Sequence, residues 1–176
     1  MRKFVLVAGI LLLAGLAAAQ IPTSGNVFLG YSYYDSNFAQ HRSGLSGWQG
    51  SLEGKIFPFV GMVADFSGNY GTANFAPPDL VPVVLRAHAD NFLFGPRVSV
   101  SLGSWRPFAE ALFGLGHVST NGFGSDNSFA TAIGGGLDYK IIRPIAVRAQ
   151  LDYVRTSLFS TTQNNLRVAT GVVVRF

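Results

Sequence analysis

The sequence predicts an all-β fold: an eight-stranded antiparallel up-and-down transmembrane β-barrel at 20–176, preceded by a cleavable signal peptide at 1–19. Three observations predict it. The chain is too apolar for a water-facing surface, its apolar residues alternate with period 2 rather than 3.6, and its connections alternate long and short.

Only 12% of the 176 residues are Asp, Glu, Lys or Arg, while 48% are hydrophobic. A soluble domain usually carries roughly 25–35% charged residues on its surface. The 13 Lys and Arg outnumber the 9 Asp and Glu. Arg2 and Lys3 belong to the leader, so 11 bases face 9 acids in the remainder. No basic run or basic helix face is present, which excludes a phosphate-tracking surface, and no nucleic-acid partner is expected. The chain has no cysteine, which removes disulfides, thiolate metal sites, cysteine nucleophiles and a lipidated cysteine at the processing site.

The leader reads from its own residues. Arg2-Lys3 form a positive start, Phe4 to Leu16 an apolar core, and Ala17-Ala18-Ala19 a small-residue cleavage pattern before Gln20. Phe4 to Ala19 falls short of the ~20 apolar residues that an anchoring helix needs.

Eight alternating segments follow. Val27, Leu29, Tyr31 and Tyr33 share one face of the first, and Trp48, Leu52 and Ile56 one face of the second. Val60, Met62, Ala64, Phe66 and Tyr70 mark the third; Phe92, Phe94, Val98 and Val100 the fourth; Ala109, Ala111, Phe113 and Leu115 the fifth. Phe129, Ile133, Leu137 and Tyr139 mark the sixth, Ile145, Val147, Leu151 and Tyr153 the seventh, and Leu166, Val168, Val172, Val174 and Phe176 the eighth. The connections Asp35–Gly47, Gly71–His88, Val118–Asn127 and Arg155–Gln163 are expected to be long loops, and Phe57–Phe59, Ser101–Ser104 and Lys140–Arg143 short turns. Long loops at one end and short turns at the other fit an outer-membrane barrel with both termini in the periplasm.

Alternation alone also fits a soluble barrel with its apolar face inside. The bulk of the apolar face decides against that, because eight strands enclose an interior only just filled by side chains. The opposite face carries small residues, such as Gly134, Gly136 and Gly171, and charges. Glu53, Asp65, Glu110, Asp138 and Asp152 stand against Lys55, Arg97, Arg148, Arg167 and Arg175, five acids to five bases. A dry lumen requires such a balance, since an unpaired buried charge is costly. Aromatic residues near the strand ends supply interfacial girdles.

The stretches FVGMVADFSG (59–68), FLFGPRVSV (92–100), RPFAEALFGLG (106–116), AIGGGLDY (132–139) and AVRAQLDYVR (146–155) resemble successive strands of small OmpA-like, opacity-type outer-membrane barrels. The closing GVVVRF resembles that family's C-terminal assembly signal, with Val172, Val174 and Phe176 in the sorting positions. The resemblance implies residence in the outer membrane of a Gram-negative-type bacterium. It also implies contact with outer-membrane lipid and lipopolysaccharide, and insertion by the barrel-assembly machinery. OmpA itself carries a peptidoglycan-binding domain after the barrel, whereas this sequence runs only to Phe176, so wall anchoring is not expected.

Catalytic, cofactor and metal sites are not expected. His41, His88 and His117 show no metal-ligand spacing. His117-Val118-Ser119 resembles the His-x-Ser pair of lipid A deacylases, but in that family the pair follows a VRA-like stretch on the penultimate strand. Here Val147-Arg148-Ala149 leads into Gln150-Leu151-Asp152 with no histidine. The charged face reads as a salt-bridged plug rather than a substrate track. Ala76 to Leu85 is unusually apolar for a loop, and reads equally as a contact patch or as a stretch that folds against the barrel rim or extends the fourth strand. The expected function is a structural or interaction role, in envelope integrity, adhesion or surface recognition. The alternatives are a small-solute channel or binding barrel and, third, a lipid-modifying enzyme; the surface partner stays unknown.

Overall fold

The computed structural model describes residues 24–38, 41–75, 83–120, 124–158 and 161–176; the expected leader lies outside them. The described residues form eight strands: β1 (Gly25–Phe38), β2 (His41–Lys55), β3 (Val60–Phe75), β4 (Val83–Ser99), β5 (Trp105–Thr120), β6 (Gly124–Lys140), β7 (Ile145–Leu158) and β8 (Thr161–Arg175). Each pairs antiparallel with its neighbours in sequence, and β1 pairs with β8 to close the barrel. Closure gives each strand a partner on both sides, which satisfies the ladder groups of the paired stretches without water.

The stagger follows from the registers. Tyr34 lies opposite Arg167, then Asp152, Gly134, Glu110, Arg97, Gly61 and Lys55 around the wall. The Lys55 amide then donates to the Ser24 carbonyl at 3.0 Å. One circuit therefore returns to the first strand ten residues from its start, from Tyr34 to Ser24. This stagger tilts the strands and brings residues distant in sequence into one lumen layer.

Three short connections and both described chain ends share one end of the barrel, called here the turn end. Between β4 and β5, Leu102 and Trp105 exchange amide–carbonyl bonds of 2.8 and 3.1 Å around Gly103, whose φ of 64° favours glycine. Residues 56–59 close on the Val60 carbonyl, and 141–144, with a cis Arg143-Pro144 bond, on that of Ile145.

At the far end the long-loop expectation is corrected. Most of the four stretches read as loops is strand: β1 runs to Phe38 and β2 starts at His41, β3 runs to Phe75, β5 to Thr120 and β7 to Leu158. Backbone ladders need no apolar side chains, and beyond the apolar belt both faces can be polar, which erases the period-2 signal. Of the apolar stretch, Val83 to Leu85 belong to β4, while 76–82 lie outside the described residues.

The large apolar side chains point outward. Leu29, Leu115 and Ile133 are 65%, 62% and 68% exposed, within a continuous wall of Val, Leu, Ile and aromatic residues on all eight strands. A wall of this extent far exceeds the apolar patches of soluble proteins. Tyr31, Tyr33, Trp48, Tyr70 and Tyr153 are exposed on it, and the Trp105–Tyr139 pair, 4.6 Å between ring centroids, marks the turn end.

The lumen is less polar than the sequence suggests. Leu45, Val63, Leu93, Leu112, Ala130, Ala132 and Val154 cluster inside with Tyr34, and Phe28, Ala146, Ala169 and Val173 form a second group. These side chains fill what the charges leave open. An added Cβ at Gly136 would overlap the Ala149 carbonyl oxygen of the facing strand and lie 2.7 Å from the tip of the Phe108 ring. Gly136→Ala is expected to cost about 1–3 kcal/mol through overpacking, read as a lowered urea midpoint; an unchanged midpoint would mean that both the facing backbone and the ring give way freely.

Candidate functional site: the lumen ion network

Among the described side chains, alternate strand residues face the lumen, and the ion-paired charges found there form one connected chain of contacts. At the turn end Arg148 grips Asp138 with two bonds, Nε to Oδ1 at 2.7 Å and Nη2 to Oδ2 at 3.1 Å, and Arg175 Nη2 reaches Asp138 Oδ2 at 3.2 Å. Arg148 also donates to Asn26 Oδ1 at 3.2 Å, and the Asn26 amide donates to Glu53 Oε2 at 2.7 Å. Glu53 accepts from Arg106 at 3.0 Å and from Arg97 at 3.2 Å.

The chain continues toward the far end. Arg97 Nε donates to Glu110 Oε2 at 2.7 Å, and Gln150 Nε2 bridges Glu110 Oε1 and Asp152 Oδ2 at 2.7 and 2.8 Å. Arg167 then joins Asp152, at 2.7 Å from Nη2, to Asp65, at 2.7 Å from Nη1, and Gln49 caps Asp65 at 2.5 Å. All eight strands contribute a side chain to this chain of contacts.

The geometry has local causes. Arg148 and Asp138 face each other directly across β7 and β6, as do Arg167 and Asp152 across β8 and β7, and Arg97 and Glu110 across β4 and β5. Gly134 stands between Asp152 and Glu110 in the row, and a side chain there would overlap the Asp152 carboxylate. Phe108 lies between two guanidinium groups, with Arg97 at 4.4 Å and Arg148 at 4.6 Å from its centroid. Both cations sit over its π-face and gain cation–π attraction while shielded from water.

Of the residues expected from sequence, Glu53, Asp65, Arg97, Glu110, Asp138, Arg148, Asp152 and Arg167 are buried together in this network, and Arg175 joins it from the mouth. Lys55 does not pair with an acid among the described residues. Its Nζ donates to the Pro58 carbonyl at 2.9 Å and to Ser99 Oγ at 3.2 Å. The fifth ion-paired base is Arg106, bound to Glu53 and Ser99. Sequence reasoning passed over it, although its spacing from Glu110 puts it on the same face. Asn26, Gln49 and Gln150 were also missed; they bridge the charges and carry none. Val172, Val174 and Phe176 lie outward on the wall at the turn end, with Val173 inside.

His88 and His117 stand on the outer wall near the far end. His88 stacks on Tyr70 at 4.3 Å and pairs with Asp90 at 2.9 Å. His117 Nδ1 lies 2.7 Å from Asn127 Oδ1. Ser119 sits opposite His88 in register and bonds neither histidine among the described residues. No group of three or more potential metal ligands occurs among the described residues.

A closed eight-stranded barrel with an apolar outer wall and a charged, filled lumen has the fold of the outer-membrane β-barrels. Neisserial surface protein A is similar, with a TM-score of 0.67 at 13% identity over 86% of this chain and 97% of that one. So is Ail, the attachment invasion locus protein of Yersinia pestis, solved with the heparin analogue sucrose octasulfate. Its TM-score is 0.60 at 16% identity, over 87% and 98% of the two chains. OprG of Pseudomonas aeruginosa gives 0.61 at 8% identity over 87% and 95%. At these identities the likeness is one of fold. The chain matches no protein-family model and no curated protein.

Proposed function

We propose that the protein resides in the outer membrane as a closed, non-conducting barrel with a structural or interaction role, presenting its far end to the outside. The continuous ion network carries this reading. Five carboxylates and five arginines brace all sides of a lumen that eight strands leave too narrow for an aqueous channel. The turn end then faces the periplasm, the leader is removed after Ala19, and Val172, Val174 and Phe176 serve the assembly machinery. The outer wall contacts lipid and, in the outer leaflet, lipopolysaccharide. Strands carried beyond the apolar belt make the far end a stiff platform for recognition, and attachment in the printed description of Ail is consistent with such a use.

A second reading, a narrow path for a small solute, draws on one observation. Ser32, Asn69, Ser128 and Thr156 bury polar side-chain atoms that have no protein partner, and such groups are served by water. Two measurements decide. The outer-membrane fraction should contain a band whose migration on a detergent gel changes on boiling, and the purified barrel should give no discrete conductance steps in planar bilayers at physiological salt. Steady steps would replace the closed-barrel reading with the channel; a soluble periplasmic protein without a heat shift would overturn both.

A further inference from the structure

The charges left outside the network are not evenly spread. The five acids of the lumen are all engaged by arginine. Of the other four, Asp35, Asp90 and Asp126 belong to the far half of the chain's path, in β1 beyond Tyr34, early in β4 and early in β6, and Asp79 lies outside the described residues. Among the described residues the turn end is left with Lys55, Lys140 and Arg143 and no acidic side chain paired with them. Lys140 and Arg143 make no ion pair among the described residues. Together with Arg175 they line a cavity of about 390 Å³ between the β4–β5 and β6–β7 turns. Phe176 lines it as well.

The three turns of this end carry exposed apolar residues, although turns facing water favour polar residues. Phe57 is 65% exposed and Ile142 58%, and Phe59, Leu102, Ile141 and Phe176 are exposed as well. They continue the outer wall without a break, because Trp105 and Tyr139, the aromatic pair on that wall, are the immediate chain neighbours of Ser104 and Lys140. Apolar and aromatic side chains beside unpaired bases suit the headgroup boundary of a bilayer, where the bases meet phosphate and the apolar groups meet the upper acyl chains. A water-filled periplasm would offer neither.

We propose that the turn end binds the phosphate of an anionic phospholipid in the periplasmic leaflet, held by Lys140 and Arg143 at the cavity rim while Ile141 and Ile142 seat in the acyl boundary beside Trp105 and Tyr139. The inference rests on the membrane placement of the barrel given above. Its occupant is chosen on charge complementarity and on continuity with the lipid-facing wall.

The test uses the full barrel in nanodiscs of phosphatidylcholine containing a minor share of phosphatidylglycerol, with the lipids retained on the protein counted by native mass spectrometry. Phosphatidylglycerol is expected to be enriched on the wild-type barrel. The double variant Lys140→Gln/Arg143→Gln should lose about fivefold for each cation removed, or about 25-fold together. Arg155→Gln, an exposed base on the far half of β7, should leave the enrichment unchanged. A heat-modifiable band from each variant shows that it has folded. Absence of enrichment on a folded, inserted wild-type barrel overturns the inference and leaves the membrane placement intact. Equal enrichment on the double variant also overturns it. Saturation by inorganic phosphate in detergent, without any preference between the two lipids, would make the cavity a free-anion site and overturn it too. Failure of the wild type to insert at all would instead strike the membrane placement itself.

Discussion

Arg167→Leu is expected to lower the unfolding free energy by about 3–5 kcal/mol, the usual cost of removing one partner from a buried ion pair. Arg167 is fully buried and engages two carboxylates at once, Asp152 through Nε and Nη2 and Asp65 through Nη1, and Nη1 also donates to Ser67 Oγ at 3.1 Å. Leucine fills much of the volume but leaves both acids facing each other across a dry lumen. The damage comes from what is abandoned more than from what is lost, since the net worth of a satisfied buried pair is small. A triple variant, Arg167→Leu with Asp65→Asn and Asp152→Asn, should therefore recover a large part of the deficit. Urea unfolding of barrels refolded in lipid vesicles, followed by tryptophan fluorescence, reads both. A single variant with the wild-type midpoint, or a triple variant worse than the single, would contradict a closed network.

The second large effect concerns the opposite face. Ile133→Arg should cost about 2–4 kcal/mol, as a basic residue does near the middle of a bilayer on the lipid side of a barrel. Ile133 is the most exposed large apolar residue on β6 and lies between Ala111 and Tyr153 on the outer wall. Were that wall bathed in water, the substitution would fall within about 0.5 kcal/mol of neutral, as exposed surface changes usually do. The vesicle measurement separates these outcomes cleanly, and a neutral result would invert the inside and outside of the barrel.

The outward face was legible in the sequence because lipid demands large apolar groups at every second position, so Leu29, Trp48, Phe94, Phe113, Ile133 and Val168 announce themselves. The buried acids and most of the arginines were legible by the same parity. Arg106 was not counted, since it lies at the very start of β5 beside Trp105, where a base reads as solvated. The inward Leu93 and Leu112 were hidden for a different reason: an apolar residue between two apolar neighbours breaks no pattern that would place it inside. The strand ends were illegible because a ladder leaving the bilayer no longer sorts residues by polarity. Which acid each arginine holds depends on the ten-residue stagger, which no local pattern encodes.

The pairing of β1 with β8 has a consequence for how the molecule comes into being. Asn26 meets Arg175 and Gly30 meets Gly171, so the first strand made waits for the last before its free edge is covered. The other seven pairings are hairpins that can form locally, whereas this seam has a sequence separation close to the whole chain length and is correspondingly slow to find. Until it shuts, the polar lumen and the apolar wall are both on the wrong side of some solvent, and the exposed edge can recruit another chain. Assembly of the barrel is thus a race between zipping one distant seam and aggregation. Substitutions near Gly30 and Gly171, where an added side chain would run into the facing strand, should slow that closure more than they weaken the finished structure.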